Sequence, residues 1–326
     1  MADVRRAVRE NWDAASVVAG DLVLVAVSGG PDSMALASAA AFEGKRAGIR
    51  VGAVVVEHGL QAITKVVAEQ TAENLRALGV DPVLVLAVTV GGDGGPEAAA
   101  REARYAALDQ ALAETHAKFV MLGHTLNDQA ETVLLGLARG SGARSLSGMA
   151  QVGESYLRPL LAITRETTVA YCQDAGLEVW HDPQNTDPKF TRVRIRHEVL
   201  PLLEQALGGG VAAALARTAD QLREDALALD GSAAAVFDVA STLGATSVLL
   251  SIDAFETQPV AIVKRVIKRA IQSAGGAASS AGIDEVVSLI VNWHGQKPLT
   301  LQGVRVVRTG RVLEFKSTKT LKPGAC

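Results

Sequence analysis

In the first half of the chain, short apolar runs rich in Val and Leu alternate with longer stretches of helical length. Leu22–Val27, Val51–Val56, Pro82–Val88 and Phe119–Leu122 have the size and continuity of strands buried on both faces. Ser33–Phe42, Thr64–Leu78 and Pro96–Thr115 fall between them and read as helices. That βαβ spacing predicts an α/β fold, a parallel sheet with helices on both faces. A further helix is expected from Asn127 to Ala138, ahead of a Gly/Ser-rich loop, Arg139–Gly148.

After Pro159 the pattern changes. Ile163–Ala175 and Thr191–Leu207 read as helices around a polar loop, Trp180–Phe190, and Gly208–Gly210 punctuates the chain. Val211–Leu229 has the Ala/Leu/Arg/Glu content of a connecting helix. Helices near Val260–Ile271 and Ile283–Trp293 and a hairpin over Val304–Phe315 complete a smaller α+β or helical domain. The expected organisation is a domain over 1–208, a connecting helix over 209–235 and an accessory domain over 236–326.

Composition narrows the class. Of 326 residues, 48% are hydrophobic and 21% charged, enough apolar material for a sizeable core and no sign of disorder. The net charge of -3 excludes a globally basic nucleic-acid coat. It hides an asymmetry, however. Residues 1–200 hold 19 Lys/Arg against 24 Asp/Glu, whereas 251–326 hold 11 against 5, so the C-terminal part could meet phosphates. Two cysteines, Cys172 and Cys326, cannot build a disulfide scaffold, a four-thiolate zinc site or a cysteine-held iron–sulfur cluster. No signal-peptide or membrane-length apolar run occurs, so a cytoplasmic protein with no membrane partner is expected.

The first strand runs into Ser28-Gly29-Gly30-Pro31-Asp32-Ser33 and then an apolar helix. Two glycines at a strand-to-helix turn expose backbone N–H groups that bind phosphate, and Ser28 and Ser33 add hydroxyls. Asp32 is the informative misfit. A carboxylate beside an anion site repels phosphate unless it holds a metal or orients a positive group. No Walker-A lysine is present and the glycine spacing is not that of a dinucleotide fingerprint, which argues against P-loop hydrolysis and hydride transfer. The plain alternative is a strand–turn–helix corner capped by Asp32 or Ser33.

The fourth strand ends in Gly123-His124, followed by Thr125-Leu126-Asn127-Asp128-Gln129-Ala130-Glu131-Thr132. Ligands of open α/β sheets sit beyond the carboxyl ends of strands, so this loop should share a crevice with Ser28–Ser33. Asp128 and Glu131, three apart, lie on one helical face suited to a metal or an ammonium group. Capping roles for Asn127, Asp128 and Glu131 remain compatible with that. Glu57-His58-Gly59 follows the second strand at the same edge, and Arg101 and Arg104 share one side of the third helix.

In combination these segments resemble the tRNA(Ile)-lysidine synthetases of the N-type ATP pyrophosphatase superfamily. The resemblance rests on SGGPDSMAL (28–36), EHGL (57–60), AAAREARY (98–105), GHTLNDQAETVLLGLARGSG (123–142), LRPLL (157–161) and WHDPQNTDPKFTRVRIRHEVLP (180–201). It covers residues 20–205 well, and the C-terminal part, with FKSTK at 315–319, looks like the single accessory domain of short members. It implies ATP and Mg²⁺ as cofactors and L-lysine and CAU-anticodon tRNA(Ile) as partners. The sequence leaves the oligomeric state open, with a homodimer as one assembly to test for. Such enzymes join lysine to C2 of the wobble cytidine after adenylation of O2. Val27, Ser28, Gly29, Gly30, Asp32, Ser33, Glu57, His58 and Gly123 would then surround ATP, with magnesium on Asp32 and Asp128. Asp32, His124, Asn127, Asp128 and Glu131 would serve the chemistry. Arg101, Arg104, Arg192, Arg194 and Arg196 would bind substrate.

The sequence departs from the family where a second acidic residue commonly precedes Asp128. Asn127 keeps an acceptor there but lacks charge. Many relatives also carry Asn or Asp at the place of Glu57. Competing readings are a tRNA thiolase, which often needs paired cysteines or an iron–sulfur cluster, a glutamine-fed synthetase, which would want an amidotransferase domain, and a tRNA-binding homologue weakened in turnover.

Overall fold

The computed structural model describes residues 1–57, 62–88, 96–140, 142–244 and 247–318, which divide into two compact units, Met1–Leu222 and Arg223–Cys326. The first unit contains α1 (Ala2–Ala14), β1 (Leu22–Val27), α2 (Pro31–Ala47), β2 (Arg50–Glu57), α3 (Ala62–Ala77), β3 (Val83–Ala87) and α4 (Pro96–Thr115). There follow β4 (Phe119–Leu122), α5 (Leu126–Ala138), the short α6 (Ala143–Leu146), β5 (Tyr156–Leu157) and α7 (Arg165–Asp174). Next come α8 (Thr191–Arg194), a π-helical turn over Ile195–Val199, and α9 (Leu200–Leu207). Helix α10 (Val211–Ala240) crosses the division between the units.

All five strands of the first sheet are parallel, in the order β3-β2-β1-β4-β5. Side chains alternate across a strand, and the core follows that alternation. Val23, Val25 and Val27 of β1 pack with Val4, Val8 and Trp12 of α1, Met34 and Leu36 of α2 and Tyr171 of α7. Leu22 and Leu24 point to the other face, against Leu108 and Ala111 of α4. Both faces are therefore covered by helices, which is why β1 reads as an unbroken apolar run. Chain order reverses between β1 and β4, so the crevice at their carboxyl ends is the topological switch point.

The second unit is α+β. An antiparallel sheet, ordered β6-β7-β10-β9-β8, is formed by β6 (Ser241–Leu243), β7 (Ser247–Ser251), β8 (Leu299–Leu301), β9 (Val304–Thr309) and β10 (Val312–Ser317). One face packs on α11 (Val260–Ser273) and α12 (Ser280–Val291). Phe315 pairs in register with Val248 and Val306, and all three meet Val266, Ile267 and Ile271. Three of this unit's cations are matched by carboxylates within it. Lys264 pairs with Asp284 at 2.6 Å, Arg265 with Asp230 at 3.1 Å, and Arg311 with Asp253 and Glu256. Exposed Arg305 and Lys316 instead face each other in register across β9 and β10. Among the described residues no single helix is long and apolar enough to cross a membrane.

Candidate active site

The loop leaving β1 is curled around one hydroxyl. Ser28 N donates to Ser33 Oγ (3.2 Å), and Ser33 Oγ donates to Gly30 O (2.9 Å). Gly29 has φ +82°, and a Cβ there would stand 2.9 Å from Thr71 Oγ1 and 3.3 Å from Trp180 Cβ. The peptide of Trp180 closes over this turn, its N–H donating to Gly29 O at 2.8 Å. Gly30, extended, precedes Pro31 without a side-chain cap, and the first helical bond of this turn is Met34 N to Gly30 O. The N–H groups of Asp32 and Ser33 lie ahead of it, at a helix start that favours an anion.

The end of β4 abuts this helix start. A Cβ on Gly123 would lie 3.1 Å from Ser33 N and 3.2 Å from the Asp32 carbonyl, so a larger residue would have to push the helix start back by a few tenths of an ångström. Beyond it, Thr125 caps α5, and Asp128 is its capping-box partner. Asp128 Oδ2 accepts from Thr125 N and Thr125 Oγ1, both at 2.8 Å. Asn127 Oδ1 accepts from the backbone N–H of Arg165 at 3.0 Å, tying the start of α5 to the start of α7.

Two arginines join the acidic groups. Arg165 donates through Nε to Asp32 Oδ2 and through Nη2 to Asp128 Oδ1, each at 3.1 Å. Thr168, one turn along α7, donates to the other oxygen of Asp32. Arg196 holds Glu131 with two bonds, 2.7 and 3.1 Å, and reaches Asp128 Oδ1 at 3.1 Å. The sequence Asp32–Arg165–Asp128–Arg196–Glu131 is thus a chain of alternating charge with three carboxylates and two guanidinium groups. Arg196 sits in the π-helical turn, whose wider winding re-aims side chains relative to α8 and α9.

The carboxylates differ in proton affinity. Burial pushes Asp32 up from the ordinary value, against Arg165 and Thr168. Burial also raises Glu131, whose side chain is 0% exposed, against the pull of Arg196. For Asp128, burial is outweighed by Arg165, the Thr125 N–H and Arg196, so its carboxyl is held below the ordinary range. Asp128 is therefore a firmly ionised group.

A positive cluster adjoins. Burial drives the His124 imidazole down to about 3, opposed by Asp128 and assisted by Arg104, Arg158 and Arg101. His124 is neutral at pH 7. Its Nδ1 and the Nε atoms of Arg104 and Arg158 are buried without a hydrogen-bond partner. Arg101 and Arg104 lie 4.9 and 5.8 Å from the Tyr105 ring centroid, and Tyr105 stands edge-on to Tyr156. Three guanidinium groups beside a neutral imidazole make an environment fitted to an anion.

The crevice expected at the sheet edge thus brings together Val27, Ser28–Ser33, Gly123, His124, Asn127, Asp128 and Glu131. Glu57 closes β2 at the same edge, and His58 lies outside the described residues. Of the three arginines singled out after residue 190, Arg196 alone enters the network. Arg194 instead lines a half-open pocket of about 280 Å³ with Val193 and His197, and among the described residues Arg192 makes no bond to Asp32, Asp128 or Glu131. Thr125, not Asn127 or Asp128, is the cap residue, and Glu131 bonds Arg196 rather than completing a capping box. Arg165, Thr168 and Arg158 were missed. The one signal for them was electrostatic, because buried carboxylates demand counter-charges from elsewhere in the chain.

Among the described residues, no group of three or more His, Cys, Asp or Glu is arranged to hold a metal. Both oxygens of Asp128 already accept two hydrogen bonds each, whereas each oxygen of Asp32 accepts one. Magnesium commonly takes one or two carboxylates with phosphate oxygens and water, so Asp32 fits that ion in company with a nucleotide.

Comparison with known proteins gives a consistent result. Residues 5–203 match the model of a PP-loop domain, and residues 250–311 that of the TilS substrate binding domain. The chain is 53% identical over 298 residues to a tRNA(Ile)-lysidine synthase of Leifsonia xyli, covering 91% of this chain and 90% of that protein. Identity to the like-named proteins of Streptomyces coelicolor and Mycobacterium tuberculosis is 53% and 46%, over 88% and 93% of this chain and 82% and 92% of theirs. Among solved structures, the U34-tRNA thiolase NcsA from Methanococcus maripaludis with its [4Fe-4S] cluster aligns with TM-score 0.57 at 17% identity. That alignment covers 68% of this chain and 78% of the thiolase, and it concerns the fold alone.

Proposed function

The chain belongs to the tRNA(Ile)-lysidine synthase family, and on that footing we propose that it ligates L-lysine to C2 of the wobble cytidine of CAU-anticodon tRNA(Ile) at the expense of ATP. One observation supports this reading most. A single guanidinium, that of Arg165, touches Asp32 of the glycine turn and Asp128 of the second loop, so both motifs face one crevice.

The phosphates of ATP are received by Ser28–Ser33 and the N–H groups opening α2, with Gly123 leaving that helix start uncovered. Asp32 would hold magnesium, which supplies neutralisation of the phosphate charge. Cytosine O2 attacks the α-phosphorus, the bond to pyrophosphate breaks, and C2 gains a leaving group in AMP. The ε-amine of lysine then forms the C2–N bond as AMP departs. Its free pKa is about 10.4, so it arrives as an ammonium ion and must lose a proton. Ionised Asp128 attracts and orients that ammonium. Its low proton affinity makes it a director of lysine more than a final proton acceptor. Arg101, Arg104 and Arg158, with neutral His124, receive tRNA or nucleotide phosphate, and a wobble base leaves a single-stranded loop to enter.

The thiolase reading has a specific weakness. Burial pushes the Cys172 thiol up to about 11, and it donates to Pro31 O at 3.3 Å, the setting of an inert thiol. The test is incubation with ATP, magnesium, labelled lysine and CAU-anticodon tRNA(Ile). Lysine on the wobble cytidine with release of AMP and pyrophosphate supports the proposal. Pyrophosphate release that requires a sulfur donor, or tight tRNA binding with no product, refutes it.

A further inference from the structure

We infer that Arg165 is a positioning residue that sets Asp32 against Asp128, and that Asn127 acts through it by fixing the helix on which it is carried. The inference rests on the function proposed above and deepens it. Arg165 offers two different nitrogens to two carboxylates on two different loops, each at 3.1 Å, from the first residue of α7. Thr168, on the same helix, binds the remaining oxygen of Asp32. Both oxygens of Asp32 are thereby addressed from α7 alone.

Helix α7 is in turn pinned to α5. The Asn127 side chain accepts the Arg165 N–H, and Leu126 N donates to Ile163 O at 2.9 Å. The Asn127 side-chain oxygen thus faces a backbone amide. Position 127 needs an acceptor rather than a charge, which an amide and a carboxylate supply equally. A planar guanidinium can bridge two carboxylates, whereas an ammonium is a point donor on a flexible stem and reaches one well.

The experiment compares Arg165→Lys, Asn127→Ala, Asn127→Asp and the double variant Asn127→Ala/Arg165→Lys. For Arg165→Lys, kcat should fall about 100-fold, the scale of an ångström-sized misplacement, while KM for lysine stays within about threefold. Asn127→Ala should lower kcat about tenfold and Asn127→Asp should recover most of that loss. The double variant should fall no further than Arg165→Lys, because both act through one contact. Calorimetric binding of a non-hydrolysable ATP analogue with magnesium, without tRNA, adds a readout independent of turnover. Affinity should drop about tenfold in Arg165→Lys and recover in Asn127→Asp relative to Asn127→Ala. Wild-type binding of the analogue without lysidine formation would sink the proposed function, and the analogue series would still judge Arg165. Turnover and analogue binding of Arg165→Lys within twofold of wild type would overturn the positioning role. So would an Asn127→Ala variant altered in KM for lysine alone.

Discussion

Replacing Arg196 with Met strands Glu131. That carboxylate is fully buried, and both its oxygens bond to the arginine it would lose. Removing one partner of a buried ion pair costs about 3–5 kcal/mol, because the remaining charge keeps its desolvation penalty. Arg196 also supports Asp128, but that group retains Arg165 and two donors from Thr125, so it adds little to the loss. About 3 kcal/mol is expected at pH 8, a fall in Tm of roughly 6–12 °C for a unit of this size. The sign of the pH dependence follows from Glu131. Burial already raises its folded pKa above the unfolded value, and losing Arg196 raises it further. The penalty is therefore complete above the folded value and fades as the pH drops through it. Thermal unfolding followed by Trp12 and Trp180 fluorescence, with Trp293 of the second unit changed to Phe, measures this directly. The double variant Arg196→Met/Glu131→Leu should regain more than half of the lost stability. A single variant within 0.5 kcal/mol of wild type, or a double variant no better than the single one, would refute the buried pair.

The neutral, part-buried His124 makes stability fall as pH drops from its ordinary value of 6.5 toward about 3, by about 2 kcal/mol at pH 5. Urea unfolding at pH 7.5 and 5 should show His124→Gln with a flatter dependence, and an unchanged slope would contradict this. Cys172→Ala should leave lysine transfer intact, and in a Cys326→Ser background the Cys172 thiol should resist a disulfide reagent at pH 8 until the chain unfolds. Arg305→Gln and Lys316→Gln, which relieve a like-charge pair in register on an exposed face, should weaken tRNA binding alike for all tRNAs. Each should also reduce the salt slope of log K by up to about 0.9.

The sequence was most legible where one physical constraint dominates a segment. Strands β1, β2 and β4 are buried on both faces, so their Val/Leu runs announce them, and the glycine turn follows because Gly29 has a positive φ and Gly123 lies in tight contact with the start of α2. Strand β5, two residues long, carries no periodicity to detect, and β7 is hidden because Leu249 is 38% exposed between buried Val248 and Leu250. The expected helix over Thr191–Leu207 exists as three segments. Its π-helical turn leaves the apolar pattern nearly intact while redirecting Arg196. The basic excess of the C-terminal part overstated its free charge, since acidic partners and carbonyls engage several of those cations. Arg165 was invisible for the plainest reason. It lies 133 residues from Asp32, and no local pattern marks a residue whose work is done across the fold.

The central claim is that the glycine turn and the Asp128 loop form one ATP-consuming crevice acting on cytidine O2. It is tested most directly by supplying ATP labelled at the α-phosphorus and CAU-anticodon tRNA(Ile) while withholding lysine. Label should transfer to the wobble cytidine as an adenylate that later addition of lysine discharges as AMP, and Asp32→Asn should abolish the transfer. Label that never reaches the tRNA, or that reaches it equally well in Asp32→Asn, would contradict the account.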